Sequence, residues 1–244
     1  MTDKPKKFSK ARWGILRDTL LEQRSSAHKH SGVTRRPTGA FGLVKTEVVV
    51  TSEVDKNSHL IDYVYDNIEV RLRQRKDDAF VLDDFKISNE HKIDNTGVIC
   101  LWPAEEALTH FCVKNSHIFR DKRVLELGAG VGLAGIALAA MGIAKEVVLT
   151  DGNPTCVDVL QENLERNNAK YGRTMTRAEV LHWDRIATGS TKYDVIIAAD
   201  CTFFKDFHGA LARSIHQLLA PRGEVYMLNP SRSGSVERFT RCTN

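Results

Sequence analysis

The stretch Val124-Leu125-Glu126-Leu127-Gly128-Ala129-Gly130-Val131-Gly132-Leu133-Ala134-Gly135 decides the fold. Its first half, from Arg123 to Leu127, is short and apolar, the pattern of a strand buried on both faces of a parallel sheet. Glycines then break it, and Leu133, Ile136, Ala137 and Ala140 carry on as an apolar helix to about Met141. Glycine there allows positive φ and lets the backbone come close to a ligand. A strand feeding such a turn at a helix start is the geometry of a nucleotide crevice. The spacing is G-x-G-x-G, and Leu133 stands where a dinucleotide loop, G-x-G-x-x-G, has its third glycine. Glu126, two residues before the first glycine, reads as a carboxylate facing the turn. Such a charge repels a pyrophosphate and suits a cationic or amine-bearing ligand.

The surrounding sequence repeats the strand-end logic. Glu146 to Thr150 is a second apolar strand that ends in Asp151, placed to accept hydrogen bonds from both ribose hydroxyls of an adenosine. A third run, Ala178 to His182, ends in Trp183-Asp184. There the acid suits the exocyclic amine of adenine and the tryptophan suits its ring; Asp184 alone reads equally well as a helix cap or a solvated turn acid. A fourth, Tyr193 to Ala199, ends in Asp200-Cys201-Thr202-Phe203-Phe204. Ligands of open α/β sheets lie beyond the carboxyl ends of the strands, where all these polar residues stand. S-adenosylmethionine fits the pattern, because it has no phosphate and carries a sulfonium and an ammonium.

Glu126-Leu-Gly-Ala-Gly-Val-Gly-Leu, Asp151 and Trp183-Asp184 resemble the cofactor motifs of class I, seven-strand S-adenosylmethionine-dependent methyltransferases. Gly97-Val-Ile-Cys-Leu-Trp102-Pro103 and Asp200-Cys-Thr-Phe203 resemble the protein-lysine group called methyltransferase family 16. The likeness spans about residues 40 to 238 and is strengthened by Leu101-Trp-Pro-Ala-Glu-Glu-Ala-Leu, Leu149-Thr-Asp-Gly-Asn and Ala199-Asp-Cys-Thr-Phe-Phe. It implies a cofactor site of Trp102, Glu126, Gly128, Ala129, Gly130, Gly132, Asp151, Asn153, Trp183, Asp184 and Ala199. It implies an acceptor channel of Asp200, Phe203 and Phe204, and calmodulin as the acidic protein substrate. By composition alone Trp102, Phe203 and Phe204 read as core aromatics. Two other readings stay open: a non-catalytic, partner-binding form that still holds S-adenosylmethionine, and an NAD-dependent oxidoreductase sharing Asp151.

Composition agrees with a globular α/β protein. The 244 residues are enough for a full α/β core, and no apolar stretch reaches the length of a membrane span. The start, Met1-Thr-Asp-Lys-Pro-Lys-Lys, has no signal-peptide core, and the five cysteines form no C-x-x-C pair. Reduced thiols in the cytoplasm or nucleus are the expectation. The nine histidines show no ligand spacing beyond His28 and His30 in a polar linker, so no metal site is expected, and neither nucleic acid nor membrane is an expected partner. A monomer is expected. Positive charge concentrates in residues 1–36, with ten Lys and Arg against Asp3, Asp18 and Glu22, whereas the whole chain carries only +4. This leader contains a short amphipathic helix (Phe8, Trp13, Ile15, Leu16, Leu20) and reads first as a solvated tail.

Three regions follow: a basic leader over 1–38, an N-terminal β extension over 39–95 and a methyltransferase core over 96–244. In the extension Val44, Thr46, Val48 and Val50 alternate with polar positions, as do Ile68, Val70 and Leu72, predicting a small antiparallel sheet. Phe80 to Leu82 reads as a further short strand. Pro103 opens a helix that is expected to pack on the first core strand. After a fifth core strand, Gly223 to Leu228, a helix begins at Ser235. The seven-strand fold continues into an antiparallel hairpin that finds no residues here, so the expectation is a Rossmann-like sheet, C-terminally shortened, with an apolar edge at Glu224 to Leu228.

Overall fold

Two sheets of opposite character organise the chain. The computed structural model describes residues 41–49, 53–75, 101–187, 189–203, 205–230 and 234–243; the leader, the strand expected at Phe80 to Leu82, and Phe204 lie outside them. The first sheet is antiparallel, with strands β1 (Lys45–Val49), β2 (Ser58–Tyr65) and β3 (Ile68–Arg75) in that order. Alternation in β3 buries Val70 and Leu72 and leaves Glu69 outside. In β2, which periodicity did not single out, Leu60, Ile61, Tyr63 and Tyr65 are buried. β1 departs from its expected pattern: Val48 is 57% exposed, because the strand lies at the outer edge and pairs only with β2 among the described residues.

After α1 (Pro103–Lys114) the second sheet begins, with β4 (Arg123–Leu127), α2 (Leu133–Ala140), β5 (Glu146–Asp151), α3 (Pro154–Asn167) and β6 (Met175–Val180). It continues with β7 (Tyr193–Ala199), α4 (His208–Leu218), β8 (Leu219–Leu228) and α5 (Ser235–Thr243). The strands lie in the order β6-β5-β4-β7-β8, and every pair is parallel. β4 and β7 are neighbours that the chain reaches from opposite directions, which makes their carboxyl ends the switch point where α/β sheets bind ligands. β8 begins earlier than Gly223: Tyr193 pairs with Leu219 and Val195 with Glu224, so a bulge carries Pro221 and the positive-φ Arg222 outside the ladder.

Side-chain alternation across the parallel sheet makes two cores. On one face Val124, Val147, Leu149, Val195 and Ile197 join Leu133, Ile136 and Leu138 of α2, Leu160 of α3 and Leu108 of α1. On the other, Leu125, Leu127, Val148, Ile196 and Ala198 meet Leu211 and Leu218 of α4 and Phe239 of α5. α2 is apolar all round, and almost all of it is buried. A helix of that composition needs cover on its outer side as well, and the small sheet supplies it: Tyr63, Val70 and Leu72 belong to the same core as α2. α1 shares its core with Val124 of β4, as expected, and packs most closely on α2 and over β7 and β8, where its Phe111 ring lies 5.0 Å from that of Tyr226 on β8.

Gly132 shows why the turn between β4 and α2 has its sequence. Its φ is +83°, and a Cβ there would sit 2.5 Å from Leu160 Cδ2 and 2.7 Å from Leu149 Cδ2. Gly132→Ala therefore combines an unfavourable backbone with overpacking. The expected loss is roughly 2–4 kcal/mol of folding stability, measured by denaturant unfolding.

Candidate functional site

The site grows from the way the protein satisfies the first turn of α2. The free N–H groups of a helix start call for acceptors, and Gly132 at the cap position has no side chain to offer. Two distant carboxyls take that role. Glu105 Oε1, from α1, accepts from the Ala134 N–H at 2.8 Å, and Glu126 Oε2, from β4, accepts from the Gly135 N–H at 2.9 Å. A third carboxyl holds the turn itself: Asp151, at the tip of β5, accepts from the Gly130 N–H at 3.1 Å and from the Asn153 N–H at 2.8 Å. The Ala129 N–H donates to Thr150 O and the Gly132 N–H to Ala129 O, which closes the turn.

This arrangement corrects the reading of Glu126 as an ionised carboxylate facing the turn. Its side chain is wholly buried and directed into the protein, towards Gly135 and Glu105. Gly135 is glycine for the same reason, since a Cβ there would collide with Glu126 Oε2. Burial raises both acids, Glu105 to about 7 and Glu126 well above the usual carboxylate range, with the charges of Glu105 and Asp151 adding to the effect on Glu126. Both carboxyls thus keep their protons at a pH where exposed acids are ionised. At this helix start the Ala134 and Gly135 N–H groups, which would otherwise be open to a phosphate, are already taken by protein carboxyls.

The remaining expected residues are brought together to different degrees. A Cβ on Gly128 would lie 2.8 Å from Cys201 Sγ and 3.6 Å from Trp183 Cζ2, so the ends of β4 and β7 and the segment after β6 meet at Gly128. Cys201 donates to Leu127 O at 3.2 Å. Its thiol is pushed far up, by burial first and then by the charges of Asp151, Glu105, Asp200 and Glu126, and the thiol stays neutral. Asn153 caps α3 by accepting from the Thr155 N–H at 2.9 Å. Trp102 directly precedes the first turn of α1, three residues from Glu105, and accepts from the Glu105 N–H through its carbonyl at 2.9 Å. Ala199 ends β7 and is half-buried. Asp184 points to solvent, 66% exposed, with Oδ1 3.8 Å from Arg185 Nε.

On the β7 side Asp200 has a left-handed backbone, φ +53°, and its N–H continues the ladder to Leu228 O at 2.9 Å. A non-glycine residue held there marks a position set by its surroundings. Phe203 follows, 48% exposed. Sequence reasoning missed the braces of this loop. Asn229 Oδ1 accepts from the Thr202 N–H at 3.1 Å, and His208 Nε2 lies 2.9 Å from Thr202 O. Ser214 Oγ donates to Trp183 O at 2.7 Å and fixes the tryptophan from α4. None of these carries a sequence signal, since each partner lies on another element. Two shallow hollows, beside Lys192 and Pro221 and beside Asp121 and Arg173, open at the opposite, amino ends of the strands.

Fold and crevice together are those of a class I methyltransferase, with S-adenosylmethionine as the cofactor. A family model described as lysine methyltransferase matches residues 80–243. The calmodulin-lysine N-methyltransferase of Arabidopsis thaliana is 40% identical, over 96% of this chain and 80% of its own. EEF1A lysine methyltransferase 3 of Mus musculus is 30% identical, over 58% of this chain and 60% of its own. Among solved structures, a TehB-like SAM-dependent methyltransferase from Corynebacterium glutamicum aligns at 17% identity and a TM-score of 0.43, over 66% of this chain and 82% of that one. The chain belongs to the lysine methyltransferase family.

The buried acid pair has a measurable consequence. In the unfolded chain both carboxyls lose their protons near 4.5, whereas the folded protein keeps them protonated to about 7 or above. The folded state therefore binds more protons in that window, and the pair's contribution to stability declines as pH rises through it. Glu126→Gln keeps an acceptor for Gly135 and supplies a permanent donor to Glu105. It should flatten the fall in stability between about pH 4.5 and 7, as read from denaturation midpoints across that range.

Proposed function

We propose that the protein transfers methyl groups from S-adenosylmethionine to a lysine ε-amine of an acidic protein, with calmodulin as the substrate. The observation that carries the site assignment is the meeting at the glycine turn of four strand ends: Trp183 and Cys201, of the Asp200–Phe203 loop, lie beside Gly128, and Asp151 holds the Gly130 N–H. The choice of calmodulin is supported by the Arabidopsis relative's name, together with its 40% identity and 96% coverage of this chain.

In this reading the residues fit the cofactor by their chemistry. Each Asp151 oxygen accepts one backbone N–H in the contacts described above, and a carboxylate has capacity for more, which suits a pair of ribose hydroxyls. Trp183 walls the adenine, and Asp184 accepts its exocyclic amine once drawn in from solvent. Gly128 to Gly132 give the backbone its close approach, with Ala129 and Asn153 lining the same end, while Trp102 and Ala199 flank it. Glu126 acts from beneath, through α2. Asp151 and Asp200, at the strand ends beside the glycine turn and Cys201, give the crevice an acidic character that complements a sulfonium and an ammonium.

Bound S-adenosylmethionine supplies an electrophilic methyl on a positively charged sulfur. The protein's part is to present a neutral amine in line with that methyl and to exclude water. A lysine ε-amine is normally protonated, so an apolar approach must lower its affinity for the proton. Phe203, with Phe204 beside it in sequence, forms that approach and offers aromatic faces to the methylated cation. Asp200 orients the amine or takes its proton, and its strained backbone, pinned to Leu228, holds it at the mouth of the crevice.

Incorporation of labelled methyl groups into calmodulin tests the reading directly. No transfer to calmodulin, with transfer to another protein's lysine, would reassign the substrate. Asp151→Ala should weaken cofactor binding by about tenfold or more, since hydrogen bonds to a charged acceptor contribute about 1.5–3 kcal/mol each. Asp200→Ala should lower turnover at least about tenfold, or about 1.4 kcal/mol of transition-state stabilisation, with cofactor affinity unchanged. A folded Asp151→Ala protein with normal affinity would refute the cofactor assignment. Normal turnover in Asp200→Ala would place the acceptor channel elsewhere.

A further inference from the structure

Asn163 lies fully buried on α3, and its amide joins parts of the molecule that are far apart in sequence. Its Oδ1 accepts from the Arg73 N–H at 2.7 Å, across 90 residues, and its Nδ2 donates to Arg73 O at 3.3 Å. The same Nδ2 donates to Val131 O at 3.1 Å, inside the glycine turn. One helical turn later Asn167 repeats the first pattern on Arg71, accepting from its N–H at 2.9 Å and donating to its carbonyl at 2.7 Å. The other Asn167 donor bond goes to Asn163 O at 2.8 Å and not to the turn. β3 is the last strand of its sheet among the described residues, and these two amides stand in for a further strand along its edge. Both asparagines attach the small sheet to α3. Only Asn163 also holds the turn.

The hold matters because of where Val131 lies. It is flanked by Gly130 and Gly132, at φ +56° and +83°. A peptide unit between such residues rotates easily, since glycine accepts the flipped conformation without steric cost. Asp151 fixes the turn by the Gly130 N–H, and Ala129 O receives the Gly132 N–H. The Val131 carbonyl is oriented from the other side by Asn163.

We propose that Asn163 is a positioning residue for the cofactor turn, and that through it the antiparallel extension becomes part of the cofactor site. The inference rests on the reading of Gly128 to Gly132 as that turn. A purely structural role would make Asn163 and Asn167 equivalent, because both secure β3 in the same way. A positioning role separates them.

The test uses the full chain and S-adenosylhomocysteine, the unreactive product, titrated calorimetrically into wild type, Asn163→Ala and Asn167→Ala, with thermal unfolding of each. Both variants should unfold at lower temperature, while the dissociation constant rises about tenfold for Asn163→Ala and stays at the wild-type value for Asn167→Ala. Equal affinity in all three, or an equal loss in both variants, overturns the proposal. No binding by wild type would instead refute the cofactor reading beneath it. Hydrogen exchange in the unaltered chain gives a second readout that needs no substitution, because coupling between two sites is reciprocal. Product binding should slow exchange of the Arg73 amide more than that of Arg71. Identical behaviour of the two amides overturns the proposal.

Discussion

Three buried carboxyls from three elements hold the backbone of one short turn and the helix behind it. Glu105 and Glu126 take the Ala134 and Gly135 N–H groups in the first turn of α2, and Asp151 takes that of Gly130. The G-x-G-x-G turn must bend through positive φ values and lie tightly against Leu149 and Leu160. Only glycine meets both demands, and glycine has no side chain with which to cap the helix it starts. The acceptors therefore come from elsewhere in the fold. That requirement ties α1 to α2, keeps β4 and β5 in register at their carboxyl ends and sets the floor of the crevice.

The same constraint shapes the chemistry. A helix start beside a strand end attracts anions. Here protein carboxyls fill that place, so the ligand side of the turn is left for a molecule without phosphate. The cost is two acids buried within reach of each other, and the protein tolerates them by keeping them protonated. Asp151 and Asp200 stand at strand ends on both sides of the switch point between β4 and β7, which suits a cationic methyl donor and a lysine acceptor.

α2 carries a second demand outward. Its composition, Leu-Ala-Gly-Ile-Ala-Leu-Ala-Ala, leaves it no polar face. The parallel sheet covers one side and the antiparallel extension the other, so the extension is part of the same core. Ion pairs follow the docking without driving it. Arg73 reaches Glu162 on α3 and Asp55 before β2, and Arg71 pairs with Asp62 across the hairpin, all at least partly in solvent where such pairs contribute little. The directional part is made by Asn163 and Asn167, because their amides offer the edge of β3 both a donor and an acceptor.

By itself the amino-acid sequence determined the parallel sheet, the glycine turn and the acids at the strand ends. Those features are local: apolar runs of strand length, glycines at fixed spacing, Asp151 as the last residue of its strand and Asp200 directly after its own. It also marked the antiparallel extension through the alternation of β3. Tertiary structure alone decided what each acid does. Glu126 looked like a ligand contact because it stands two residues before Gly128, yet strand alternation turns it inward, where it meets Glu105 and Gly135. Glu105 as the cap of α2, Asn229 as the brace of Thr202, Ser214 as the holder of Trp183 and Asn163 as the link to Val131 all join residues on different elements. A side chain's hydrogen-bond partner is set by which backbone group packing leaves unpaired beside it, and that is settled only when the elements have come together.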